Sequence, residues 1–330
     1  MRGIFIFAMA ALLGACGRED GQRWNASLPW SQQEYHVANA ERFASAVAET
    51  TGGKLTISVF PNAVLGLKGP ETIRALEEGL VDMAEMPSFQ EAGAEPILGL
   101  ESLPYLVETQ AELKLLHALA RPAIEAAFAR HGLKVLYIVP WPPQNIYTKH
   151  PFATLEDVKG VKIRTYDRNT TELMTRLGLT PIQMQSQDVV PALASGVIDA
   201  VMTSTTTGAA QRYWEFLPYM TRTNHVWISN VMAVSGKSWA ALDADTQTAV
   251  ERLARAMERE FWQVAAKDDL AKQDVLVGNG MKVMAIGEEL LNDMRARAVP
   301  MWAAWRARVD PETAAVLDAF LKETGKDQRQ

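Results

Sequence analysis

Between Asp157 and Ser204 the chain alternates short strands with short helices, and no other feature constrains its fold as strongly. V-K-G-V-K-I-R-T-Y (Val158–Tyr166) reads as a strand. A helical segment follows, then T-P-I-Q-M (Thr180–Met184), a second short helix, and G-V-I-D-A-V-M-T-S (Gly196–Ser204). This alternation brings several strand ends to one edge of a small open sheet, the edge where α/β sheets bind ligands. Arg164 stands at the end of the first of these strands. Its guanidinium offers a planar fork of donors that matches a carboxylate. A surface ion pair with Asp157 or Asp167 would use the same chemistry, and spacing leaves both readings open.

The preceding segment follows the same rhythm. Arg23–Leu28 reads as a strand and Glu34–Thr50 as a helix, with Tyr35, Ala38, Phe43, Ala46 and Val47 on one face. Lys54–Phe60 alternates Leu55, Ile57 and Val59 inward, Pro70 opens a helix ending at Gly79, and Val81–Met86 is a third strand. This pace implies parallel pairing through right-handed crossovers. A helix from about Gln110 to His131 and an apolar strand, Leu133–Val139, lead to Pro140-Trp141-Pro142-Pro143. Three prolines around a tryptophan continue neither element, so the chain turns there into a second lobe. Thr207–Phe216 reads as helical, and Asn224–Ser235 as a strand returning to the first lobe. From Asp243 to about Gln273 a helical stripe of Ala249, Leu253, Met257, Phe261 and Val264 is long enough to span both lobes. Met281–Ile286, a helix from Gly287 and a charged C-terminal helix close the chain.

The 330 residues suffice for two lobes, and the net charge of −6 argues against nucleic-acid binding. The sole cysteine, Cys16, follows a short apolar run, Ile4–Leu13, in Leu13-Gly14-Ala15-Cys16. This reads as a secretory signal, residues 1–15, with a polar tether at 16–22. The mature chain then has no disulfide and no thiolate metal site.

No catalytic constellation is visible. The five histidines, His36, His117, His131, His150 and His225, show no ligand spacing, and no G-x-S-x-G elbow occurs. Gly236-Lys237-Ser238 lacks the first glycine of a phosphate loop, because Val231 stands there. Gly278-Asn279-Gly280 lacks the third glycine of a dinucleotide fingerprint. No cofactor is expected.

Lys159–Ser204 resembles the substrate-binding proteins of tripartite ATP-independent periplasmic (TRAP) transporters, the DctP-like family. The resemblance rests on V-K-G-V-K-I-R, L-G-L-T-P-I-Q-M, the helix around Pro191-Ala192-Leu193 and G-V-I-D-A. Outside that stretch it is carried by Gly52–Pro61, Leu65-Gly66, Glu78–Met83, Ser102–Leu106, Tyr213–Glu215 and Thr223–His225. Separately, the surroundings of Cys16 resemble a bacterial lipobox with an acylated cysteine, the alternative being an ordinary signal peptide cut nearby. Gly17 after the cysteine favours the outer membrane.

The resemblance implies an α/β, two-lobed periplasmic binding protein with open, mostly parallel sheets, hinge strands and a long helix spanning both lobes. The first lobe takes 23–140 and 226–268, the second 141–225 and 269–300, with C-terminal helices at 301–330. The family's carboxylate-binding arginine falls on Arg164. Thr203 stands where an Asn is frequent, and Gln144 where sialic-acid binders carry a second arginine. Ser186 replaces an aromatic ring. Trp30, Phe89, Trp141 and Trp214 are candidates to wall the pocket, with lobe core as their alternative. Such a site suits an aromatic or apolar monocarboxylate. A dicarboxylate needs a second cation, for which Lys68 is the candidate. The implied partners are the carboxylate, the two TRAP membrane subunits and, through Cys16, a membrane. The alternatives are a ligand sensor for a membrane receptor and a periplasmic hydrolase or lyase.

Overall fold

Two sheets, each with one strand running against the others, organise the computed structural model, which describes residues 21–329. Cys16, the expected signal and the expected tether as far as residue 20 lie outside the described residues, as do the expected cleavage and acylation; the tether's expected end at residue 22 is a correction, because Gln22 is already paired with Leu55 in the first sheet.

The first sheet has the order β2-β1-β3-β10-β4: β1 (Gln22–Ser27), β2 (Leu55–Phe60), β3 (Met83–Pro87), β4 (Leu133–Pro140) and β10 (Ser229–Ser235). Only β10 is antiparallel to its neighbours. The second sheet has the order β11-β9-β5-β8-β6-β7: β5 (Asn145–Thr148), β6 (Lys162–Thr165), β7 (Thr180–Gln183), β8 (Ala200–Thr203), β9 (Tyr219–Arg222) and β11 (Lys282–Ala285). Only β5 runs against the rest. The two odd strands share a cause. Each is the first strand the chain forms after crossing from the other sheet, β5 arriving from β4 and β10 from β9. The remaining strands are joined by helices, which favours parallel pairing.

The helices are α1 (Tyr35–Thr50), α2 (Glu71–Glu78), α3 (Gln110–Arg130), α4 (Arg168–Arg176), α5 (Val189–Ala194), α6 (Thr205–Ala210), α7 (Gly236–Ala240), α8 (Ala244–Gly278), α9 (Glu288–Arg306) and α10 (Pro311–Glu323). The 35 residues of α8 extend roughly 52 Å, packing on α1 and β4 at one end and on α6 and β11 at the other. The expected lobe boundaries at 268/269 and 300/301 fall inside α8 and α9, both of which continue unbroken.

Two crossing segments form the hinge. The amides of Trp141 and Gln144 donate to the carbonyls of Ile228 and Val226, both at 2.8 Å, and His225 N–H returns a bond to the Gln144 carbonyl. The second sheet is buried on both faces, and its alternation sorts side chains between two cores. Ile146, Ile163, Ala200 and Met202 join the large core that continues beneath the first sheet. Tyr147, Val201 and Met220 point the other way, to a smaller core with Tyr213 and Leu276.

Two elements are shorter than expected. The helix predicted over Thr207–Phe216 is α6 plus a separate turn at Tyr213–Glu215, because Arg212 adopts a left-handed φ of 54° that no helix continues. The strand predicted from Asn224 begins only at Ser229, since residues before it belong to the hinge crossing.

Candidate functional site

A cleft opens where the C-terminal ends of β1, β3 and β4 face those of β6 and β8. It holds about 500 Å³ of empty space, its open mouth included.

Arg164, on β6, reaches into this cleft with 5 % of its surface exposed. Its Nε donates to the Met184 carbonyl at 3.0 Å, and its Nη1 to the Met202 carbonyl at 3.4 Å. The guanidinium lies over the Tyr166 ring, 5.3 Å from its centre. Burial pulls the arginine's pKa down, opposed by nearby tyrosines and by Asp167 and Asp188. Among the described residues no carboxylate forms an ion pair with it. The two partners considered from sequence are engaged elsewhere. Asp157 accepts from the amides of Ala153 and Thr154 at 2.9 Å. Asp167 caps α4, accepting from Thr170 N–H at 2.8 Å, and burial raises its pKa. A buried guanidinium whose remaining N–H groups face a cavity is poised to bind an anion there.

The walls are aromatic. Trp30, just past β1, meets Trp141 edge to face with ring centres 4.8 Å apart. Trp141 is held by its indole N–H, which donates to Asn230 Oδ1 at 2.8 Å. Phe89 lies against Tyr166 at 4.6 Å, a contact between the two lobes. Three buried polar atoms on lining residues have no partner in the protein: Trp30 Nε1, the Tyr166 hydroxyl and Gln187 Oε1.

Gln144, Thr203 and Ser186 also line the cleft. Gln144 Nε2 donates to the Pro142 carbonyl at 2.9 Å, and Ser186 Oγ accepts from Gln211 Nε2 at 2.8 Å. Lys68 reaches the mouth, 3.5 Å from Asp188. Trp214 is a correction: it lies outside the cleft, packing on the smaller core with Arg212 over its ring at 5.8 Å. The turn that carries it follows α6 on the far face of the second sheet.

The sequence reading missed Tyr166, Gln90, Gln185, Gln187 and Thr207. Tyr166 was within reach, because residues two apart on a strand share a face and it stands two past Arg164. The others act through contacts between the lobes. Gln187 Nε2 donates to the Pro29 carbonyl at 2.9 Å, Gln90 Nε2 to Gln185 Oε1 at 3.3 Å, and Thr207 Oγ1 to Glu34 Oε1 at 2.9 Å. These bonds describe a cleft closed on itself.

Among the described residues no group of three or more His, Cys, Asp or Glu side chains could hold a metal, and no helix is long and apolar enough to cross a membrane. The only ionisable cations on the cleft lining are Arg164 and Lys68, with no carboxylate beside them in that lining.

Comparison with known proteins agrees with this geometry. The family described as "Bacterial extracellular solute-binding protein, family 7" (DctP) matches residues 26–308. The fold superposes on DctP7, a Bordetella pertussis extracytoplasmic solute receptor binding pyroglutamic acid, with a TM-score of 0.88 and 29 % identity over 91 % of this chain and 99 % of that one. A marine metagenome TRAP solute-binding protein specific for pyroglutamate gives 0.87 and 29 % over 92 % and 99 %. The C4-dicarboxylate-binding periplasmic protein DctP of Rhodobacter capsulatus is 27 % identical over 71 % of this chain and 70 % of its own length. Binding proteins of this kind hold small carboxylates outside the cytoplasm for a TRAP transporter's membrane subunits, and they are not enzymes. The chain belongs to the DctP family of extracellular solute-binding proteins.

Proposed function

We propose that this protein captures a compact, singly charged carboxylic acid between its lobes and delivers it to the membrane subunits of a TRAP transporter. The observation that carries this reading is Arg164, buried at the cleft without a carboxylate partner. A ligand carboxylate would supply the missing charge, with Thr203 and Gln144 serving its remaining lone pairs. Trp30, Phe89 and Trp141 would take the apolar body of the ligand. The unpaired Trp30 Nε1, Tyr166 hydroxyl and Gln187 Oε1 favour a body that also bears a donor and an acceptor, as a lactam ring does, over a purely aromatic one. Two structural relatives at 29 % identity bind pyroglutamate, an acid of this description.

The test is a thermal-shift and calorimetric comparison of pyroglutamate, benzoate, succinate and glucuronate, since a ligand that binds only the native state raises the melting temperature. Pyroglutamate is expected to stabilise most. Stabilisation by succinate or glucuronate alone would overturn the reading.

We also propose that Cys16 is acylated after removal of residues 1–15, on the strength of the Leu13-Gly14-Ala15-Cys16 motif. β1 starts at the sheet edge opposite the cleft, so an anchor there would leave the cleft unobstructed. Mass spectrometry of the mature N-terminal peptide should find a diacylglyceryl cysteine; an unmodified cysteine would refute it.

A further inference from the structure

We propose that Asp188 sets the charge count of the cleft: it neutralises Lys68, so that the site takes singly charged acids and rejects dianions. This rests on the carboxylate-binding reading above.

Lys68 belongs to the loop before α2 and lines the mouth of the cleft, while Arg164 lies deep within it. Two cations at the two ends of one cavity are what a dicarboxylate requires. Asp188 alters that arrangement. Its Oδ1 lies 3.5 Å from Lys68 Nζ, with both side chains about half exposed. The aspartate stands at the N-cap of α5, where an aspartate ordinarily accepts a bond from the first helical amides. Here its side chain makes no capping bond and extends to the lysine of the other lobe. The other carboxylate near Lys68 is committed to the backbone: Glu71 Oε1 accepts from the amides of Lys68 and Gly69 at 2.8 and 2.9 Å, and these bonds, with the lysine's charge, hold its pKa low against the opposing effect of partial burial.

The pair joins the lobes across the cleft, alongside the Gln90–Gln185 bond. A second ligand carboxylate arriving at Lys68 would find a carboxylate already there, and like charges side by side discriminate against it. A neutral group at that end of the ligand meets no such repulsion.

The experiment measures pyroglutamate and glutarate by calorimetry, two five-carbon acids of one and two charges, against wild type, D188N, K68Q and D188N/K68Q. In D188N the glutarate-to-pyroglutamate affinity ratio should rise roughly two- to fivefold, the size expected of a half-exposed charge pair. It should fall back in the double variant, and the rise should shrink in high salt. A ratio unchanged in D188N, or a rise that survives removal of Lys68, overturns the inference while leaving the function intact if pyroglutamate still binds tightly. Wild-type protein that prefers glutarate overturns both.

Discussion

The guanidinium of Arg164 rests on the ring of Tyr166, 5.3 Å from its centre, and both side chains are buried, one near the end of β6 and the other just past it. Tyr166 in turn lies against Phe89 of the other lobe. The charge that would hold a ligand and the contact that closes the cleft are therefore two residues apart. If Arg164 holds a ligand carboxylate as proposed, closure and capture would be coupled through this local geometry rather than through a long pathway.

The two tryptophans placed differently by the fold should behave differently. Trp141→Ala removes a wall of the cleft and should cost about 2 kcal/mol of ligand binding, roughly thirtyfold in affinity. Trp214→Ala should leave affinity within about twofold and lower stability by about 1–2 kcal/mol, because that ring packs only on the smaller core. Calorimetry and urea melts on both variants check this. A large affinity loss in Trp214→Ala would contradict the placement.

Gly208 in α6 marks a close approach. A Cβ there would sit 2.5 Å from the Tyr147 hydroxyl oxygen and 2.8 Å from Cζ. That ring is fixed in the core, its hydroxyl donating to the Ser204 carbonyl at 3.0 Å. Overpacking of this kind costs about 1–3 kcal/mol. Alanine's better helix propensity returns about 1 kcal/mol. Gly208→Ala should therefore be destabilising on balance in a urea melt, and Tyr147→Phe in the same chain should recover part of the loss.

Glu34 links the lobes as a buried carboxylate, accepting from Ser31 N–H at 2.7 Å and from Thr207 Oγ1 at 2.9 Å. Burial raises its pKa above the ordinary 4.5, outweighing those hydrogen bonds. The folded state then holds its proton more tightly than the unfolded chain. Its contribution is complete below 4.5 and is lost as pH rises through the raised folded value. Melting temperatures of wild type and E34Q, compared from about pH 4 to 7, should show wild type losing ground to the variant as pH rises. A difference constant with pH would contradict this account.

Much of this architecture was legible in the chain because helices and strands here follow their periods. The crossover rhythm of β1 to β3 and of β6 to β8, the long α8 and the position of Arg164 all follow from apolar spacing and punctuation by Gly and Pro. β5 and β9 were not legible: each has four residues, flanks a crossing, and depends for its existence on neighbours distant in sequence. Trp214 illustrates a different limit. An aromatic residue after a helix near a sheet edge shows its apolar character but not which face of the sheet it will meet. The same holds for Gln187, whose bond to Pro29 exists only because two lobes meet.

The central claim is that Arg164 pairs with a ligand carboxylate inside the closed cleft. The direct measurement is calorimetric titration of pyroglutamate into wild type and Arg164→Ala, with circular dichroism to verify that the variant is folded. Leaving a buried carboxylate unpaired should cost about 3–5 kcal/mol, an affinity loss on the order of a hundredfold to several thousandfold. A folded Arg164→Ala protein that binds pyroglutamate as tightly as wild type would contradict the claim.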